Sequence, residues 1–388
     1  MSDLELTYLD YAASAPRRDE VTDAMAPWMH GVVGNPTGQH REARRVRQAL
    51  DEARDVIASF VGEPVHEVVF TGGGTESCYL AIAGRALAHA KDHPVSDIVI
   101  SPTEHSAVLK SARTLAEQHD NIRVRILDVD SNGIIETQSL FDNLSERTAV
   151  VSVMTTNNET GVYQPIPLVG SVAAGAVPGG AVTHTDAVAA ATHLYLPAMT
   201  ETIDLISLSA HKLGGPVNSG ALIFRRDVPF ESPLPGGGQE RGRRGGTPDV
   251  AAAVGLATAC ALTAQERSEE NDRLEELRLR FENALSYLPG LVVTARGEAR
   301  NYGTTHVTIE GLANEETLFL LDQAGVCASG GSSCASGALE ASHVLLAMGM
   351  SPERASTALR FTYGRGTTQA ELDHAVGVLA DIVYRLRA

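Results

Sequence analysis

A lysine stands where an apolar run stops. Leu205 to Ser209 is short, apolar and bounded by turn residues, the pattern of a buried strand. It leads into Ala210-His211-Lys212 just before Gly214-Gly215-Pro216. An amine held at a strand end in a partly dry pocket can lose its proton far below the usual pKa of about 10.4 and add to an aldehyde as a Schiff base. A lysine that merely caps a loop would look the same, so Lys212 needs company before it counts as chemistry.

Four other stretches supply that company, each between a strand signal and a helix or turn signal. Thr71-Gly72-Gly73-Gly74-Thr75-Glu76-Ser77 offers backbone N–H groups and a helix start to an anion, or is a plain connection; no Gly-Lys-Ser/Thr follows, so it is not a nucleotide-binding loop. Thr103-Glu104-His105 brings an imidazole to the sheet's carboxyl edge, as a ring-stacking and proton-exchanging group or as a helix cap. Asn157-Asn158-Glu159-Thr160-Gly161 sets amides at a strand end, for a phenolate oxygen or for a turn. His184-Thr185-Asp186 sets a carboxylate where it could keep a pyridine nitrogen protonated, or serve as an N-cap. Amine, anion cradle, aromatic ring and carboxylate are together the needs of pyridoxal 5'-phosphate (PLP), the aldehyde cofactor that fits them.

The elements that must position these groups alternate. Strand signals over 67–71, 97–101, 124–127, 148–154, 181–184, 205–209 and 221–224 are interleaved with helix signals over 19–30, 40–61, 76–90, 107–119 and 166–174. This predicts an α/β fold with a mostly parallel, doubly wound sheet covered on both faces. A helix over 250–288, continuous or interrupted, bridges to a smaller α+β region with strands over 291–294, 303–309 and 359–363 and helices over 315–324, 351–355 and 369–386. The expected organisation is an N-terminal arm (1–18) associating with the small domain, a large cofactor-binding domain (19–255) and a small domain (256–388).

The 388 residues include 31 basic and 48 acidic side chains, a formal charge of −17 that argues against direct nucleic-acid binding. The N-terminus lacks a basic segment followed by an apolar stretch, and no run of about 18 apolar residues occurs, so a cytoplasmic protein with no membrane contact is expected. Cys78, Cys260, Cys327 and Cys334 form no disulfide framework and no Cys-x-x-Cys pair. Cys327, in an apolar context, reads as a packing residue. Metal binding is not expected.

With these motifs in this order, from Leu9-Asp10-Tyr11-Ala12-Ala13 through Ser209-Ala210-His211-Lys212, Gly236-Gly237-Gly238-Gln239-Glu240-Arg241 and Gly246-Thr247-Pro248 to Ser332-Ser333-Cys334-Ala335-Ser336-Gly337, the whole chain resembles the cysteine desulfurases of the class V aminotransferase group, within PLP fold type I. The resemblance implies that Lys212 carries the cofactor, Asp186 faces its ring nitrogen and His105 stacks on the ring. It gives Asn158 the phenolic oxygen and substrate carboxylate, and Gly74, Thr75, Ser209 and His211 the phosphate. Thr247 matches a phosphate ligand donated by the partner subunit of a homodimer. Arg360 matches the group that grips the α-carboxylate of L-cysteine, work suited to a guanidinium that never deprotonates; Arg365 is expected to be structural. Cys334, in a loop of small residues, matches the nucleophile that takes the sulfur as a persulfide and hands it to an acceptor protein for iron–sulfur cluster assembly or tRNA or other thiolation.

Two positions depart from the family pattern. Ala189 stands where a glutamine bonds the cofactor's phenolic oxygen, and Gly245 replaces a commoner serine. Ala189 leaves room for slowed chemistry, for a weakly active partner-binding homologue, or for a selenocysteine lyase or other β-eliminating class V enzyme. A transaminase is a further rival that no motif demands.

Overall fold

The computed structural model describes residues 6–31, 34–177, 180–331 and 341–387. Seven strands form the central sheet, in the spatial order Glu67–Thr71, Gly220–Phe224, Leu205–Ser209, Thr183–Asp186, Thr148–Ser152, Ser96–Ile100 and Ile122–Ile126. Only the two pairings made by Gly220–Phe224 are antiparallel. The expected α/β class with a mostly parallel sheet is therefore the observed one. Six of the strands are buried along their whole length, covered on both faces; most of them read as largely apolar stretches without alternation, whereas Thr183–Asp186 is wholly polar. Ile122–Ile126 lies at the edge and exposes part of its length, with Arg123 and Arg125 on it.

A single helix, Val250–Leu285, links two hydrophobic cores. Asp249 caps it by accepting the Ala252 N–H, and 36 residues at 1.5 Å each carry it about 54 Å. Ala251, Leu256 and Cys260 pack into the core beneath the large sheet; Leu274, Phe281 and Leu285 pack into a second core. That second core lies on the antiparallel sheet Ala358–Thr362, Thr304–Ile309, Leu291–Val293 and the helix Gln369–Arg387. No interruption breaks the long helix, because no proline falls inside it.

Several short elements have no counterpart in the sequence reading: the helices Thr137–Asn143, Leu196–Thr200 and His343–Ala347, and the parallel pair Thr7–Tyr8 with Val326–Cys327. Each is too short for a periodic signal, and the pair forms only when residues more than 300 positions apart meet. Cys327, expected inside, is only partly buried on this small sheet.

Parallel strands place their carboxyl ends along one edge. Ser96–Ile100, Thr148–Ser152, Thr183–Asp186 and Leu205–Ser209 thus deliver His105, Asn158, Asp186 and Lys212 to the same side of the molecule. The N-terminal segment closes over it: Ala15 N–H donates to His211 O at 3.0 Å and Arg18 N–H to Gly214 O at 3.0 Å.

Candidate active site

A cavity of about 460 Å³ opens at that edge. Its lining includes Gly74, Thr75, His105, Asn158, Asp186, Ala189, Ser209, His211, Lys212, Arg360 and Arg365. All the site residues expected within one chain are there except Cys334, which lies outside the described residues. Thr247 is exposed and does not line the cavity of its own chain.

Lys212 ends a single 3-10 turn, Ala210–Lys212, that stops the strand before it and swings the side chain inward. Its ammonium donates to Ala12 O and, at 3.0 Å, to Ala13 O, so the N-terminal segment holds the amine in place. His105 caps the helix Ser106–Gln118: Nδ1 accepts the Ala107 N–H at 3.1 Å, which leaves the proton of the neutral ring on Nε2. The helix cap, read from the sequence as the alternative to a ring that stacks on a cofactor, is made, and the same ring also lines the cavity. Burial holds its pKa down, opposed by the Asp186 carboxylate and reinforced by Lys212 and His343. His211 is pushed down to about 4 by burial and by Lys212 beside it. Both imidazoles are therefore neutral at physiological pH, available as donors and stacking surfaces without adding charge.

Asp186 ends its strand 6% exposed, and Oδ1 accepts the Val188 N–H at 2.9 Å. Two residues earlier on the strand, His184 belongs to a buried polar chain, bridging Ser152 (2.8 Å) and Ser207 (2.9 Å). Arg360 is 1% exposed; Nη1 donates to Asn158 O and Nη2 to Asp10 Oδ1, both at 2.9 Å, while the buried Nε has no hydrogen-bond partner among the described residues. Asn157, unlike its neighbour, spends its side chain on Thr103 O and on the backbone of Glu159 and Thr160, which shapes the turn.

The anion cradle follows from glycine. Gly73 has φ +134°, a conformation closed to other residues, and caps the helix Gly74–Ala90. A Cβ on Gly220 would come within 2.8 Å of Gly73, so the neighbouring strand also needs a glycine for the turn to lie where it does. The N–H groups of this helix start have no intrahelical acceptors and its dipole favours negative charge.

Sequence reasoning passed over three contributors. Asp10, Ala12 and Ala13 lie in a motif noted only for its likeness, and their partners Arg360 and Lys212 are about 350 and 200 residues away. Gly245 also gains a physical reason: a Cβ there would come within 2.7 Å of Gly236 Cα, so a serine does not fit this turn.

Comparison with known proteins follows the same line. The aminotransferase class-V family model matches residues 7–374. This chain belongs to that family. It is 39% identical to cysteine desulfurase 2 of Trichormus variabilis, over 99% of this chain and 95% of the relative. It is 36% identical to the cysteine desulfurase IscS of Shewanella oneidensis, over 98% and 93%. A solved NifS-like protein superposes with a TM-score of 0.89 at 28% identity, covering 98% of this chain and all of that one. Within class V the chain falls among the cysteine desulfurases, which are PLP enzymes.

The residues present fit that cofactor. A cavity open to a helix start, an amine, a carboxylate and a neutral imidazole meet within it, and a Cβ at Gly74 would strike Val188 at 2.9 Å, so the cradle is kept as bare backbone. Gly74, Thr75, Ser209 and His211 are the groups that would hold the phosphate, Asp186 the ring nitrogen and Lys212 the aldehyde carbon.

Proposed function

We propose that this protein is a PLP-dependent cysteine desulfurase that converts L-cysteine to L-alanine, leaves the sulfur as a persulfide on Cys334 and passes it to an acceptor protein. The observation that carries the reading is the meeting of Lys212, Asp186, His105 and Arg360 in one cavity, in a chain that matches named desulfurases over nearly its whole length.

Bound there, PLP supplies an aldehyde that links to amines and a ring that accepts electron density from the substrate's α-carbon. The chain does the rest. Arg360 orients the substrate by its carboxylate, with Asn158 alongside. Lys212 Nζ carries the proton removed from Cα, and neutral His105 covers the ring face. Asp186 would face the ring nitrogen. Cys334 Sγ attacks the substrate sulfur: an S–S bond forms, the Cβ–S bond breaks, and the carbon takes up a proton to become the methyl group of alanine.

Thr247 stands exposed on the segment that follows Gly238, away from its own cavity. This supports a homodimer in which each copy supplies Thr247 to the other's phosphate. Among the described residues no helix is long and apolar enough to cross a membrane. A cytoplasmic enzyme feeding iron–sulfur cluster assembly or thiolation is the setting we infer.

Anaerobic turnover of the PLP-loaded protein with L-cysteine and a thiol reductant tests this reading. Alanine and sulfide should appear in equal amounts, and Cys334→Ala should abolish both while the cofactor absorbance persists. Turnover of cysteine that survives Cys334→Ala would point to a selenocysteine lyase or another β-eliminating class V enzyme instead, with pyruvate in place of alanine in the β-eliminating case.

A further inference from the structure

The cradle has a charge problem. Glu76 sits in the first turn of the helix whose start receives the phosphate, and its Oε2 accepts the Gly72 N–H at 2.6 Å, drawing the glycine turn into shape. A carboxylate is well placed at a helix N-terminus on its own, but beside a phosphate dianion it is a like charge competing for the same field.

A second segment of the chain answers it. Arg244 donates from Nε to Glu76 Oε1 at 2.7 Å and from Nη2 to Oε2 at 3.4 Å, a two-pronged pair at side chains only 20% and 25% exposed. The pair is held from both sides. Glu240 accepts the Phe70 N–H at 2.9 Å, just before the glycine turn, and pairs with Arg54 at 2.8 Å. Arg243 pairs with Glu67 at 2.5 Å and lies over the Phe224 ring at 4.1 Å. Glu240 and Arg241 hold left-handed backbone, φ +48° and +52°, strained for non-glycine residues and stabilised by these anchors. The 240–244 segment is thus built to set one guanidinium on one carboxylate.

We propose that Arg244 and Glu76 are a positioning pair for the cofactor phosphate: Glu76 shapes the glycine turn through the Gly72 N–H, and Arg244 cancels the charge that would otherwise repel the phosphate. Neither touches the reacting atoms. The inference rests on the reading that Gly74 and Thr75 hold the phosphate, and it adds a part of the site that none of the expected ligands includes. The charge cancelled is local, so its effect belongs to the phosphate end of the cofactor alone.

The test is equilibrium binding to the full-length apo-protein of pyridoxal phosphate and of pyridoxal, which lacks the phosphate, at low and high salt. Arg244→Ala should weaken pyridoxal phosphate about tenfold at low salt, less at high salt, and leave pyridoxal unchanged. Glu76→Gln keeps an acceptor for Gly72 and loses the charge, so it should bind pyridoxal phosphate at least as well as the wild type. The double variant should recover most of the affinity lost in Arg244→Ala. Equal losses for both compounds would overturn the proposal, because a general disturbance of the site makes no such distinction. So would a double variant no better than Arg244→Ala, the result expected if Arg244 acted only by carrying Thr247 to a partner. Thr75→Ala separates the two levels. If it weakens pyridoxal phosphate while Arg244→Ala does not, the cradle stands and the pair falls. If Thr75→Ala changes nothing and the wild type does not prefer the phosphate ester, the cradle reading falls and takes the pair with it.

Discussion

Arg360→Lys separates carboxylate recognition from mere positive charge. The guanidinium reaches Asp10 Oδ1 with one nitrogen and Asn158 O with the other, each at 2.9 Å, and is 1% exposed. A lysine carries its donors on one atom and cannot span both partners in that geometry. A hydrogen bond to a charged group contributes about 1.5–3 kcal/mol, and the lysine retains the point charge while losing the paired fork. One such bond lost is about 10- to 100-fold in kcat/KM at about 1.4 kcal/mol per decade. Alanine release from L-cysteine should show this mainly as a raised KM. Binding of cysteamine, which has the amine and thiol but no carboxylate, should change little, so the preference for L-cysteine over cysteamine shrinks by the same factor. A variant that weakens both compounds equally, or stays within threefold on L-cysteine, would refute the assignment of Arg360 to the carboxylate.

Ala189 lines the cavity. Ala189→Gln should restore a donor near the phenolic oxygen, lower the pH at which the cofactor absorbance titrates and raise kcat; an unchanged spectrum and rate would count against the slowed-chemistry reading. Gly220→Ala forces a Cβ to within 2.6 Å of Leu208 O and 2.8 Å of Gly73, so PLP affinity should fall about tenfold or more, with melting temperature lowered as well. Acid stability follows from buried histidines. His89, His193 and His211 are depressed to about 4, and His184 and His306 to about 3, with burial the main cause in each. Unfolding below pH 6.5 lets each take up a proton that the folded protein refuses, so stability is complete above pH 6.5 and is lost as pH falls towards 4 and 3. The fully buried His184, His193 and His306 each contribute about 1.4 kcal/mol per pH unit in that window, and His89 and His211, partly screened by solvent, contribute less. Urea unfolding at pH 7 and pH 5 checks this: a midpoint that does not fall at pH 5 would contradict it.

Strand ends carried most of what the sequence could tell. His105, Asn158, Asp186 and Lys212 each follow an apolar run, and a mostly parallel sheet must bring such positions to one edge, so local pattern and general topology together determined their company. The glycine turn was legible for the same local reason: Gly73 holds a backbone conformation closed to other residues, and that leaves a compositional trace.

The tertiary structure decided the rest. Nothing in either segment signals that Asp10 meets Arg360 across 350 residues, that Ala12 and Ala13 carbonyls hold Lys212, or that Arg244 neutralises Glu76 across 168 residues. A polar side chain's own neighbours set its propensity, but its partner is set by which surfaces the two cores press together. Ion pairs between distant segments leave no period and no spacing in a single sequence. Chemistry that one strand end can present was written locally, while the charge balance and clamping that tune it exist only where the chain has folded back on itself.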